Sequence, residues 1–163
     1  VSDDDLLGAR CDERVMLEGF LDYYRDVIVN KVDGLSRADA GRVMVASGLS
    51  PLGIVAHLTE VEYNWFDAKF AGHPERLDPV KHRDFQLSSD DTVASIVDEY
   101  RAACAVARVI ASKAALDDLS VQEHPFFGRV SLRWIYVHMI EETARHAGHL
   151  DLMREQIDGK VGD

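Results

Sequence analysis

Between Ser131 and Gly159 the apolar residues Leu132, Ile135, Met139, Met153 and Ile157 recur in steps of three and four, and no proline interrupts them. This is the repeat of a long amphipathic helix, which has to bury its apolar stripe against other helices. Three earlier stretches carry the same periodicity. The first runs from about Asp4 to Val32, with Leu17, Phe20, Leu21, Tyr24, Val27 and Ile28 on one face and Gly34 as its stop. The second opens at Ser50-Pro51, a capping residue followed by a proline suited to the first helical position, and continues to Phe70. The third opens with Asp90 and Asp91 at the positive end of its dipole. It continues through Val93, Ile96, Val97, Tyr100, Ala103, Cys104, Ala107, Ile110, Ala111 and Ala114. Ser131 caps the fourth. Four such helices in one chain predict an all-α four-helix bundle, with residues 1–163 forming a single domain. The connections at 36–50 and around His124-Pro125-Phe126-Phe127 are long enough to rim a pocket.

Composition narrows the function. The formal net charge is −11, and no Lys/Arg cluster offers a basic face to phosphates, which argues against nucleic acid as a partner. No apolar run is long enough for a membrane span. The acidic opening VSDDDLLGAR is unlike a signal peptide, so a cytoplasmic location and no membrane partner are expected. The two cysteines, Cys11 and Cys104, are far apart and form no CxxC pair. Cys104 reads as a small core residue, and Cys11 as either core or surface.

The stripe of the last helix is apolar at both ends but carries Glu142, His146 and His149 in its middle. An ionised carboxylate in such a place needs a partner. Residues a turn apart lie roughly 5–6 Å from one another, so Glu142 and His146 can grip one ion together. The second helix offers His57, on a face shared with Ile54, Leu58 and Val61. Two imidazoles and a carboxylate make a donor set that leaves a coordination position open, as in catalytic zinc sites. Nickel, iron or manganese would also accept nitrogen and oxygen donors. The same side chains could equally form a buried hydrogen-bonded network. A di-iron carboxylate site expects Glu-x-x-His on two helices, and a zincin expects HExxH; neither motif is present. His138, a turn before Glu142, can orient a water or a substrate or simply pack. His149, a turn after His146, can replace a ligand or orient a bound water. Glu60 and Glu62 could fix the tautomer of His57. His73, His82 and His124 read as solvated loop residues. Trp65, Phe66, Trp134 and Tyr136 read as core or interface residues.

The segments SGLSPLGIVAHLTEVEYNWF and SLRWIYVHMIEETARHAGHLDLMRE resemble the two signature helices of the DinB-like (YfiT-like) metal-dependent bundle proteins. The closer likeness is to the actinobacterial branch of mini-circle proteins and mycothiol-dependent enzymes. The resemblance implies metal ligands at His57, Glu142 and His146, long crossover connections and a homodimer. Glu142 stands where many relatives have His, and His149 where many have Gln. By the same resemblance, the metal activates a low-molecular-weight thiol, mycothiol or bacillithiol, toward a small electrophile. The expected function is therefore a metal-dependent thiol S-transferase or isomerase using divalent zinc, with His149 and His138 as candidate catalytic groups. The alternative is a stress-related protein that binds metal or a small molecule without catalysis.

Overall fold

A computed structural model describes residues 11–74 and 85–161. The helices are α1 (Glu13–Val32), α2 (Arg37–Ala40), α3 (Pro51–Glu62), α4 (Val93–Ala111) and α5 (Leu132–Asp158). A π-helical stretch, Tyr63–Phe70, continues α3 directly. Among the described residues there is no extended strand, only two isolated bridges, Leu119 with Ser131 and His124 with Gly128.

Local chemistry sets most boundaries. Ser50 Oγ accepts the Gly53 amide at 3.1 Å beside the N-terminal proline of α3, and Ser131 Oγ accepts the Trp134 amide at 3.2 Å to start α5. Gly159 closes α5 in the left-handed conformation, φ 75°, with its amide on the Glu155 carbonyl. Two starts differ from expectation. Helix α1 begins at Glu13, after the Asp12 carboxylate has capped it, and the part of the expected helix before residue 11 lies outside the described residues. Helix α4 begins at Val93 rather than at the acidic pair. Thr92 and Ser95 form a reciprocal capping box, while the buried Asp91 carboxylate turns back to accept the Ser88 amide at 2.7 Å. Helix α4 also ends at Ala111, short of Ala114. Within the 36–50 connection, Ser36 caps the short α2.

Helix α1 packs most extensively on α5, and α3 on α4. Buried Ala103, Ala107 and Ala111 give α4 the narrow face that lets it approach closely. The core has two parts. One contains Ile28, Leu58, Tyr100, Cys104 and Leu150; the other contains Leu21, Phe66, Ala107, Ile135 and Met139. On helix after helix the polar interior residues fall where the chain passes from one part to the other: Arg25 on α1, Glu62 on α3, and Glu142, Thr143 and His146 on α5. Arg25 and Glu62, 4% and 1% exposed, form a two-pronged pair with Nε–Oε1 2.7 Å and Nη2–Oε2 2.6 Å. Glu62 is thus committed to Arg25 and does not orient His57. Cys104 is in the core as expected, its thiol 3.8 Å from Glu62 Oε1, while Cys11 is exposed.

Candidate metal site between two helices

His57 lies halfway along α3 and Glu142 and His146 one turn apart near the middle of α5, so the crossing of these helices decides whether they meet. They do. One oxygen, Glu142 Oε1, stands 3.4 Å from His57 Nε2 and 3.3 Å from His146 Nε2. One donor atom from each of the three side chains lies within 4.8 Å of the others. His146 is buried, and His57 and Glu142 are partly so.

These separations bear on what the group can do. A charge-assisted N–H···O bond contracts to about 2.7–2.9 Å. Two ligands on a tetrahedral cation with arms of about 2.1 Å stand about 3.4 Å apart. The two contacts to Glu142 match the second value and exceed the first. The other Glu142 oxygen, Oε2, accepts from Arg145 Nη1 at 3.0 Å, which fixes the plane of the carboxylate. Long as they are, the contacts from His146 and then from His57 hold the Glu142 carboxyl of the metal-free site well below the usual carboxylate range, against the opposing effect of burial. Glu142 is therefore an anion at neutral pH. The donor set fits a divalent cation: two imidazole nitrogens and one anionic oxygen, with Oε1 facing both rings while Arg145 binds the other oxygen.

The neighbouring histidines have different surroundings. His149 Nδ1 is 3.5 Å from His146 Nδ1, on the ring edge opposite the Nε2 that faces Glu142. Burial, followed by the charges of His146 and Arg145, lowers the His149 pKa and favours the neutral ring. His138 lies outside the three-residue cluster. Its ring stacks on Trp134 (centroids 5.2 Å, 19°) and meets Trp65 edge-on at 4.6 Å, and burial lowers its pKa. The same aromatic group takes in His124, stacked on Trp65 at 5.6 Å and on Phe127 at 4.8 Å, so His124 is not simply a solvated loop residue. His73 is not either: its Nδ1 is 2.8 Å from Oδ1 of buried Asp67. His82 falls outside the described residues. Trp65, Phe66 and Tyr136 are buried and Trp134 partly so.

Sequence patterns did not reveal Phe85. Its ring lies flat on His57, with centroids 4.0 Å apart and planes at 18°, and it reaches within 5.8 Å of the His146 ring. A lone aromatic in a loop gives no periodic signal. The available hint was Gly53, a poor helix former placed in the first turn of α3.

A bundle that brings two histidines and a glutamate from two helices to one point agrees with the DinB/YfiT-like class, to which the family found for this chain belongs. Within that class, the family profile described as mycothiol-S-transferase matches residues 16–159, and the chain belongs to this family. No curated protein matches the chain. No helix among the described residues is long and apolar enough to cross a membrane.

Proposed function

We propose that this protein is a metal-dependent thiol S-transferase. In this reading His57, Glu142 and His146 hold one divalent cation, zinc, and a low-molecular-weight thiol of the mycothiol type is transferred to a small electrophile. The observation that carries the reading is the convergence of three ligand atoms, donated by two helices, at ligand-to-ligand spacing. Family membership supports the thiol.

A divalent cation at this site supplies the charge that makes a bound thiol a thiolate at neutral pH. The chain's own residues do the rest. Glu142 would be the one anionic donor, so a divalent cation held here would keep net positive charge to favour a bound thiolate. His57 and His146 are neutral donors that leave a coordination position open. Arg145 holds the Glu142 carboxylate in plane. His149 faces the far edge of His146 at 3.5 Å, placed to accept a hydrogen bond from Nδ1–H when Nε2 is the donor atom to a metal. His138, in its aromatic group a turn away, orients the incoming electrophile. Cys104 is buried beside Glu62 and is not among the clustered donors.

Elemental analysis of protein purified without chelators or metal-binding tags is expected to find about one zinc per chain, with His57→Ala and His146→Ala each losing it. Nickel or iron in place of zinc would keep the site and change only its occupant. Incubation with mycothiol and a reactive electrophile should give a conjugate by mass spectrometry, and chelation should abolish it. Conjugation undiminished in fully demetallated protein would refute the mechanism. Stoichiometric metal without any conjugate would make the protein a binder rather than an enzyme.

A further inference from the structure

The two imidazoles of the site are held in different ways. His146 has a polar neighbour at its far edge, with His149 Nδ1 3.5 Å from its Nδ1. Among the described residues, His57 Nδ1 has no protein partner, and the side-chain contact of the ring is through Nε2 to Glu142. Histidines that bind metal ordinarily donate their second N–H to a group that orients the ring. At His57 the contact that fills this place is a ring face: Phe85, stacked at 4.0 Å and 18°.

The backbone beneath Phe85 is built for that contact. Phe85 is the one non-glycine with positive φ among the described residues, at 71°. Side chains rarely adopt this conformation unless their surroundings impose it. Gly53, on the first turn of α3 and one helical turn before His57, receives the Phe85 peptide directly. A Cβ at Gly53 would stand 2.4 Å from the Phe85 carbonyl oxygen and 3.3 Å from its carbonyl carbon. Backbone cannot yield as a flexible side chain can. Glycine at 53 thus lets the Phe85 peptide sit on α3, and that seat directs the ring onto His57.

We propose that Phe85, seated on Gly53, is a positioning residue that fixes the ring plane of His57 and shields one face of the ligand cluster from water. The expected consequence for metal binding rests on the reading of the site given above. The effect on His57 itself does not.

The test uses the full chain, with ring ¹H–¹³C spectra of labelled histidines in metal-free protein and Co²⁺ and Zn²⁺ titrations against a competing chelator. Phe85→Leu keeps an apolar side chain and loses the flat face, Phe85→Tyr keeps the face, and Gly53→Ala displaces the peptide, and crowds the Ser50 Oγ cap at 2.9 Å, without touching either ring. In the native chain the ring current of Phe85 should hold the His57 carbon-bound protons upfield, and Phe85→Leu should release them. Phe85→Leu and Gly53→Ala should each weaken Co²⁺ and Zn²⁺ binding about tenfold or more, the range for lost outer partners of metal-bound histidines. Phe85→Tyr should restore near-native affinity and the native Co²⁺ absorption spectrum. The double variant should lose less than the sum of the two single losses, since both disturb the Phe85 contact. His57 signals that ignore Phe85→Leu would overturn the proposal. So would native metal affinity in a Phe85→Leu protein whose His57 signals have moved. Should the native chain bind neither cation while its His57 signals still respond, the positioning of His57 stands and the metal reading falls. Melting of each metal-free variant identifies a general loss of fold, and Phe85→Leu, which keeps an apolar side chain, keeps the test decisive if Gly53→Ala does not fold.

Discussion

Replacing Arg25 by Met should destabilise the bundle by about 3–5 kcal/mol, the cost of leaving a buried charge without its partner. The geometry puts this pair at the buried extreme. Both carboxylate oxygens of Glu62 accept from the guanidinium, at 2.7 and 2.6 Å, and the two residues are 4% and 1% exposed. Once Arg25 is gone, Glu62 retains among the described residues only the weak Cys104 thiol contact at 3.8 Å. Asp22, which also binds Arg25, is not orphaned, because Arg108 Nη2 holds it at 2.9 Å. The loss is therefore that of Glu62 alone. Domains of this kind are stable by about 5–15 kcal/mol, so the variant should still fold but with a large fraction of its stability gone. With a urea slope of about 2 kcal/mol/M, a loss of 4 kcal/mol moves the unfolding midpoint down by about 2 M. Urea unfolding followed by circular dichroism, in metal-free protein and with the slope checked for constancy, measures it. Arg25→Met combined with Glu62→Leu should recover to within about 1 kcal/mol of the native chain or exceed it, because the desolvation of two charges is removed together. A single-variant cost below about 1 kcal/mol, typical of an exposed pair, would refute the reasoning. So would a double variant as unstable as the single.

Burial, and next the Glu62 carboxylate, push the Cys104 thiol up from about 9 to about 12. At pH 8 roughly one part in ten thousand is thiolate, so a thiol reagent should label exposed Cys11 alone in native protein and both cysteines in urea, and rapid double labelling of the native chain would contradict this. The sign for stability follows: because the folded pKa is the higher one, the contribution of the neutral thiol is complete below pH 9 and is lost as pH rises toward 12, which unfolding across that window with and without Cys104→Ala would reveal. Gly72→Ala should cost about 1–2 kcal/mol, since φ is +82° at Gly72. Its new Cβ would approach the Val121 side chain at 2.7 Å, but Val121 is exposed and can move, so Val121→Ala should rescue little of the loss in thermal melts. Ser50→Ala removes the cap of the helix that carries His57 and should cost about 1 kcal/mol, with Ser50→Asp retaining most of it.

The legible parts of this structure were those set by nearby sequence. Ser50-Pro51 and Ser131 start their helices as expected because a cap needs only a hydroxyl and an amide three residues on. The α5 seam marked Glu142 and His146 because a helix projects its own residues onto one face without help from elsewhere, and an acid on an apolar stripe stands out. Asp91 misled for a related reason. A dipole argument admits any acid near a helix start, but Thr92 and Ser95 satisfied the amides, leaving Asp91 to cap a different turn. What stayed hidden depends on which helices are neighbours. Glu62 looked like a candidate partner for His57 by proximity in sequence, yet five residues of α3 turn it toward α1, where Arg25 waits. The π-helical stretch was hidden too. Tyr63–Phe70 reads as ordinary helix, but the wider turn puts the Ala71 amide on the Phe66 carbonyl. It also leaves the Lys69 and Phe70 carbonyls free to accept from Gln122 and Val121 in the loop that carries His124.

These hidden features share a place in the bundle, and that place constrains the site. The polar interior residues of α1, α3 and α5 fall at the boundary between the two apolar clusters. On α3 the same boundary separates His57, turned toward α5, from Glu62, turned toward α1. A helix interior can carry two charged contacts so close together only if each faces its own partner, since a shared partner would leave one group desolvated and unpaired. Under the proposed function, the Arg25–Glu62 pair thus neutralises an acid that would otherwise compete with Glu142 for a cation. The consequence can be measured: in Arg25→Met, where Glu62 is unpaired, an added divalent cation should stabilise the fold more than it does the native chain, because relief of the lone carboxylate adds to binding at the two-helix site. Equal stabilisation of both would show that the two polar centres, although neighbours on α3, do not communicate.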